Sequence, residues 1–376
     1  MRSTLFSALL TAVSVSPVFA GCDDYATSSA CVVTKPSQLA AAVSNCTSIV
    51  LQDLHMPSNK SLDMSKLLEN SVVTFAGTTT FAFTNSSTFA PISFGGRNIT
   101  ITSKPGAIID GNGSMYWDGL GSNGGVPKPN TFIQVKLTNH SVIENLHIQN
   151  YPVHGFRIAD SNSLTVRNIV MDNASGDAPN SRSGNKSAAH NSDGFGVGSK
   201  SQNILLENIR VYNQDDCVAV TSGNNITINK AYCSGGHGLS IGSVGGKADN
   251  NVTNVVFKNA YLINNSNGAR IKSNYNTTGY IANITYSNIA IFNASDYGID
   301  IQQDYLNGGP TGSPSNGVII ENVLFKNVTG TATQEGTNYY VLCGDGSCSN
   351  IVFKNVRITG GGQNSSCNYP STGCPA

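Results

Sequence analysis

Three aspartates, one histidine, one arginine and one lysine fall into register in a chain that has few charges. Six short segments share one form: Gly155-Phe-Arg-Ile158, Gly194-Phe-Gly-Val197, Cys217-Val-Ala-Val220, Gly238-Leu-Ser-Ile241, Gly268-Ala-Arg-Ile271 and Gly298-Ile-Asp-Ile301. The residues just before them are His154, Asp193, Asp216, His237, Asn267 and Tyr297. Asp215 precedes Asp216 directly, and Arg270 and Lys272 share the outward face of their segment. Carboxylates about 5 Å apart repel as anions, so one holds its proton to higher pH and becomes a donor, while the others activate water. An acid and a base on opposite sides of a glycosidic bond hydrolyse it. The forked donor of Arg270 and the point charge of Lys272 suit an anionic sugar. Taken singly, an Asp in N-S-D-G or Q-D-D-C is equally a turn residue. Independent turn residues, however, need not fall in one column.

What must position these groups is a repeat. From about Asn98 to Thr359, short Val/Ile/Leu strands recur with Asn at one place: V-I-E-N-L at 142–146, L-L-E-N-I at 205–209, V-F-K-N-A at 256–260, L-F-K-N-V at 324–328 and V-F-K-N-V at 352–356. A period of about 20–40 residues belongs to solenoids and propellers. In the six aligned segments two inward positions flank a tolerant one, which describes half-buried strands of period 2. The pattern predicts an all-β, right-handed parallel β-helix whose coils stack about 4.8 Å apart. A propeller would instead need antiparallel blades with hairpin turns. The recurring Asn reads as an internal ladder at a left-handed turn. Thr34–Asn45 reads as a short amino-terminal helix, Pro36 near its first turn, capping the open end. One difficulty stands: consecutive Asp215 and Asp216 on a regular strand would face opposite ways. Both reach one groove only if the chain bends there, for which the glycine in five of the six segments is the expected device.

Composition narrows the function classes. The chain has 376 residues, 22 basic and 22 acidic, and only 12% charged residues; 44 Asn and 39 Gly stand in their place. This excludes a disordered chain and argues against a nucleic-acid partner. Arg2, the apolar run from Leu5 to about Val15 and Val18-Phe19-Ala20 read as a signal peptide over 1–20, with one catalytic domain over 21–376 and no membrane partner. Export permits disulfides. The nine cysteines cluster as Cys31 with Cys46, Cys217 with Cys233, Cys343 with Cys348 and Cys367 with Cys374, leaving Cys22 over, although spacing alone does not fix connectivity. Sequons at Asn98, Asn139, Asn225, Asn251, Asn283 and Asn327 suit a secreted glycoprotein. No cofactor and no metal site are expected, and the chain is read as a monomer.

N-S-D-G-F-G-V (191–197), Q-D-D-C-V-A-V (214–220), G-H-G-L-S-I-G-S-V-G-G (236–246) and R-I-K (270–272) resemble the four signature blocks of polygalacturonases, the fungal pectin hydrolases of glycoside hydrolase family 28. I-Q-Q-D-Y (301–305), G-T-T-T-F (77–81) and Y-W-D-G (116–119) extend the resemblance over the chain. It implies hydrolysis of polygalacturonic acid with inversion. Asp215 would be the general acid, Asp193 and Asp216 would position water, and His237 would support them. Arg270 and Lys272 would grip the substrate carboxylate, Tyr305 would pack against it and Asn191 would touch substrate. Two positions depart from the family pattern, Ser192 for Thr and Gly196 for Asp. The polar spacer 172–191 is expected to form a mobile groove wall, and no long segment is available to plug the groove, so cleavage is expected within the polymer. The alternatives are an exo-acting, rhamnogalacturonan or xylogalacturonan hydrolase of the same family, a pectate lyase and a non-catalytic carbohydrate-binding β-helix.

Overall fold

The computed structural model describes residues 31–307 and 309–375. The expected signal peptide, the start at Gly21 and Cys22 lie outside the described residues. Among the described residues twenty-six strands form one continuous sheet, and strands pair in parallel with those one coil on. This is the parallel β-helix; a propeller's antiparallel blades are not what the register shows. The coil interior is filled by the inward residues of each strand, Ile204, Leu206, Ile209 and Val211 in one coil and Val255, Phe257, Ala260 and Leu262 two coils on, all buried. Each Ile or Leu so buried stabilises by about 1.5–3 kcal/mol. Like residues stack on like along the axis: Phe257, Tyr286, Phe325 and Phe353 form a column with ring centroids 4.7, 5.2 and 5.1 Å apart.

The recurring asparagines turn the chain. Asn145, Asn208, Asn259, Asn327 and Asn355 all have φ between 51° and 60°, the left-handed region that Asn tolerates better than other side-chain-bearing residues. Their amides form a ladder between coils, as in Asn208 Nδ2 to Asn168 Oδ1 (2.8 Å), Asn327 to Asn288 (2.9 Å) and Asn355 to Asn327 (2.9 Å). The ladder runs along the outside of the turn, not inside it as expected, because the left-handed residue points its side chain away from the coil. At the amino-terminal end, a 3-10 turn (Pro36–Gln38) leads into the helix Leu39–Asn45, which packs on Val32–Val33 and Leu62–Met64 and buries Leu39, Ala42 and Val43. Gln38 Oε1 closes the 3-10 turn by accepting from the Thr34 and Lys35 backbone amides at 2.9 Å each.

Three of the expected disulfides are present: Cys217–Cys233, Cys343–Cys348 and Cys367–Cys374. The fourth, Cys31–Cys46, is not formed. The helix ends at Asn45 and holds Cys46, its C-cap, beside Cys31, whose contact together with burial raises the Cys46 thiol.

Candidate active site

The aligned segments become one sheet lining a groove. Phe156, Phe195, Val218, Leu239, Ala269 and Ile299 are register partners on successive inward positions. Arg157, Gly196, Ala219, Ser240, Arg270 and Asp300 follow as the outward column. Strand pairing thus delivers the register on which the reading of the carboxylates rested.

The Asp215–Asp216 problem is solved outside the strands. One strand ends at Tyr212 and the next begins at Val218, so residues 213–217 are free of strand parity. The Asn213 side-chain amide holds the turn, donating to the carbonyls of Ser192 (2.7 Å), Asp215 (2.9 Å) and Asp216 (3.0 Å). The glycine column has a different task from the expected bend. Only Gly238, at φ +83°, uses the left-handed region; Gly155, Gly194, Gly268 and Gly298 are needed because a Cβ would collide with a neighbour. At Gly268 a Cβ would lie 2.3 Å from the Gly298 carbonyl oxygen. The coil closes too tightly there for any side chain.

Two loops build one wall of the groove. Trp117 packs on Ala188 and Ala189 in a small core of its own. Asn180 donates to the Trp117 carbonyl (3.0 Å), and Arg182 donates to the Met115 (3.0 Å) and Ser114 (2.6 Å) carbonyls. The spacer 172–191, expected to be mobile, is therefore tied down along its length. Asp118 and Lys128, both buried, pair at 2.6 Å and brace the first loop from inside. Asn191 stands where the walls meet the site: its Oδ1 accepts from Ser122 N, Ser122 Oγ and Asn123 Nδ2, and its Nδ2 donates to Asp215 Oδ2 at 3.0 Å. These bonds orient Asp215 through Asn191.

Each carboxylate has its own partner. His237 Nδ1 lies 3.0 Å from Asp215 Oδ1, His154 Nδ1 3.1 Å from Asp193 Oδ1, and Lys272 Nζ 2.9 Å from Asp216 Oδ2, whose other oxygen accepts from Ser240 Oγ. Burial pushes the Asp215 carboxyl up, but the His237 imidazolium beside it and the Lys272 charge outweigh burial and leave it well below the usual carboxylate range. Burial likewise pulls His237 down, and the Asp215 anion overrides it, raising His237 to about 9. Asp193 goes the other way: burial and the Asp215 charge lift it above its ordinary value despite His154. The cluster thus splits, as closely spaced carboxylates must, with Asp193 as the raised member. One ligand atom each of Asp215, Asp216 and His237 lies within 4.8 Å of the others. With Lys272 seated on Asp216 and a proton between Asp215 and His237, the set suits proton transfer better than a divalent cation.

Beyond the carboxylates, Arg270 and Lys272 lie 5.5 and 5.3 Å from the centre of the Tyr305 ring, in cation–π range. Arg270 also donates to Gln302 Oε1 at 3.2 Å and faces Asp300. It opens onto a depression of about 430 Å³ that Tyr297 and Tyr305 also line. Lys272 is nearly fully buried by Asp216, so it supports a carboxylate as much as it faces the groove. His154, Ser240, Gln302 and Asp300 touch these side chains and were given no role by the sequence reading. Membership of the aligned segments was the available signal. At the two departures, Ser192 keeps its hydroxyl in a reciprocal pair with Gln214 (2.7 and 2.9 Å), which needs no methyl. A Cβ on Gly196 would meet only the Phe156 carbonyl oxygen, at 3.4 Å, so the groove floor is open there beside exposed Arg157.

Residues 46–376 match the family model described as glycosyl hydrolases family 28. The chain belongs to this family. Among family relatives, it is 56% identical to a polygalacturonase of Fusarium fujikuroi over 92% of this chain and 93% of that protein. It is 56% identical to a probable endopolygalacturonase D of Neosartorya fischeri, covering 92% of this chain and 72% of that one. Of solved structures, endopolygalacturonase I from Stereum purpureum, complexed with two galacturonates, superposes with a TM-score of 0.74 at 30% identity, over 89% of this chain and 96% of that one.

The Asp215–His237 pair makes a prediction about stability. His237 sits above its ordinary 6.5, at about 9, so its contribution is fully present below pH 6.5 and is lost as pH rises through about 9. Asp215, held low by the same pair, contributes at all pH above its ordinary 3.8 and loses this only in stronger acid. The wild-type Tm should therefore fall more steeply than that of His237→Gln between pH 6.5 and 9. Parallel Tm curves over that interval would show that the pair does not hold the proton.

Proposed function

We infer that this protein is a hydrolase that cleaves polygalacturonic acid within the polymer. The observation that carries the reading is the trio Asp193, Asp215 and Asp216 on the floor of a groove, next to two cations and a tyrosine suited to a uronate. The endopolygalacturonase relatives and the galacturonate-bound structure support it.

In this mechanism Arg270, with Tyr305 beneath it, holds the carboxylate of the sugar beyond the scissile bond. Asp215 protonates the glycosidic oxygen. The proton resides in the Asp215–His237 hydrogen bond, on His237 in the resting protein, and crosses the 3.0 Å gap to Asp215 as substrate displaces water and weakens the ion pair. Asn191 keeps the second oxygen of Asp215 oriented. A water on the opposite face attacks the anomeric carbon, held by Asp193 and Asp216; the C–O bond breaks, the leaving oxygen keeps the proton from Asp215, and Asp193 takes the proton of the water. Asp193, lifted above its ordinary value by burial and the Asp215 charge, is the base, and His154 lies beside it. Attack from the opposite face gives inversion.

We place the protein outside the cell, as a monomer. The three disulfides, the apolar segment after Arg2 and the sequons support an exported glycoprotein. Among the described residues no helix is long and apolar enough to cross a membrane.

Product analysis on polygalacturonic acid is the test. Viscosity should fall well before many reducing ends appear, with oligomers of mixed length early. Monomer or dimer from the outset, with viscosity preserved, would refute internal cleavage. Unsaturated, ultraviolet-absorbing products would mark a lyase, and binding without new reducing ends a carbohydrate-binding protein.

A further inference from the structure

Asp300 is a buried charge that the mechanism above does not use. It follows Arg270 in the outward column of the groove sheet, one coil on, a column in which Arg157 is exposed and Gly196 and Arg270 are partly so. Its carboxylate is wholly buried. Arg270 Nε approaches Oδ2 to 3.0 Å. The approach is not along the N–H direction, so neither Asp300 oxygen and not Arg270 Nε completes a hydrogen bond. A buried carboxylate without hydrogen bonds is costly, and a native structure that keeps one needs a reason.

Few other ionisable groups surround it; from the strand Gly279–Ala294 comes the buried phenol of Tyr286, which donates to the Arg270 carbonyl. From the strand Asn267–Asn274, Arg270 and Lys272 face Asp300. Its own strand, Tyr297–Tyr305, adds buried Asp304 and the phenol of Tyr297. From Thr337–Leu342 comes Tyr340, whose ring stacks on Tyr297 with centroids 5.1 Å apart. Exposed Asp296 lies at the mouth of the depression and acts on Tyr297. Arg270 is thus shared: Nε turns to Asp300, one Nη to Gln302, and the remainder of the guanidinium to the groove.

We propose that Asp300 is a positioning and specificity-determining residue that competes with the substrate's carboxylate for Arg270, so that the grip on an acidic sugar depends on whether Asp300 is ionised. This rests on the reading of Arg270 as the uronate-binding group. Neutral Asp300 leaves the full charge of Arg270 to the substrate. Ionised Asp300 takes part of it back, across a contact that no hydrogen bond locks. Burial pushes the Asp300 carboxyl up, and although Arg270 and Lys272 pull it down it remains at about 7. A galacturonate is ionised throughout this range, so the change lies in the protein.

The experiment is to measure KM and kcat on polygalacturonate from pH 5.5 to 8.5 for wild type and Asp300→Asn. Wild-type KM should rise by roughly fivefold as pH passes through 7, the order of effect of one partly shielded ion pair. The Asp300→Asn variant should keep a low, flat KM over the same window, with the kcat profile of the two proteins alike. A second readout follows from linkage. The raised value means that Asp300 contributes stability that is full below its ordinary 3.8 and lost as pH rises through about 7. The Tm of Asp300→Asn should therefore exceed that of wild type at pH 8 and approach it at pH 4. A flat wild-type KM overturns the proposal without any variant, and so does an Asp300→Asn KM that rises in parallel with wild type. A wild type that releases no reducing ends from polygalacturonate would instead sink the functional reading, which separates the two failures.

Discussion

Asp193→Asn, Asp215→Asn and Asp216→Asn should each lose at least about a hundredfold in kcat on polygalacturonate, since a positioned acid or base contributes 10²–10⁴. The amide keeps the shape of each side chain but can neither give nor take the proton. The three variants should differ in what else they lose. Asp193→Asn can keep a hydrogen bond to His154 through its amide oxygen and should melt near wild type. Asp215→Asn removes the anion that raises His237, so the stability that wild type loses between pH 6.5 and 9 should disappear with it. Asp216→Asn leaves Lys272, 6% exposed, without its anion, and breaking such a pair from one side costs about 3–5 kcal/mol. Its kcat must be read well below its lowered Tm. Near-wild-type turnover in any one of the three would void the role given to that residue.

Lys272→Met should be the most damaging change outside the carboxylates, in turnover and in stability together. The resemblance alone places Lys272 on the substrate and predicts a loss confined to KM. The structure seats its ammonium 2.9 Å from Asp216 Oδ2, with the side chain 7% exposed. Methionine keeps most of the volume while leaving the buried carboxylate unpaired, so a loss of about 3–5 kcal/mol in stability is expected along with a fall in kcat. Arg270→Lys should act differently. It keeps the charge but not the fork, and should raise KM for polygalacturonate by more than it lowers kcat. Urea or thermal melts beside steady-state kinetics distinguish these outcomes. A Lys272→Met variant with wild-type kcat and Tm and a raised KM would return Lys272 to the substrate.

Much of this molecule was legible before folding because a solenoid writes its structure into a period. The Val/Ile/Leu strands, the left-handed asparagines and the Gly-φ-x-Ile segments recur because each coil repeats one set of local constraints. Aligning them put Asp193, Asp216 and His237 on adjacent coils, where the register now places them. Residue type and spacing therefore determined the fold and which coils carry the carboxylates. What they could not determine was direction and partnership. Whether Asp215 joins Asp216 depends on Asn213 reaching three carbonyls of a turn, a contact with no period. The placement of Lys272 on Asp216, Asn191 on Asp215 and Asp300 beside Arg270 depends on side chains meeting between coils 24 to 56 residues apart in sequence. The glycine column shows the same division. Its recurrence was plain in the sequence, but its cause, the lack of room for a Cβ where the coil closes, exists only once neighbouring coils are packed together. Local constraints repeat and can be counted along the chain, whereas charge pairing and steric exclusion arise only between segments that folding has brought into contact.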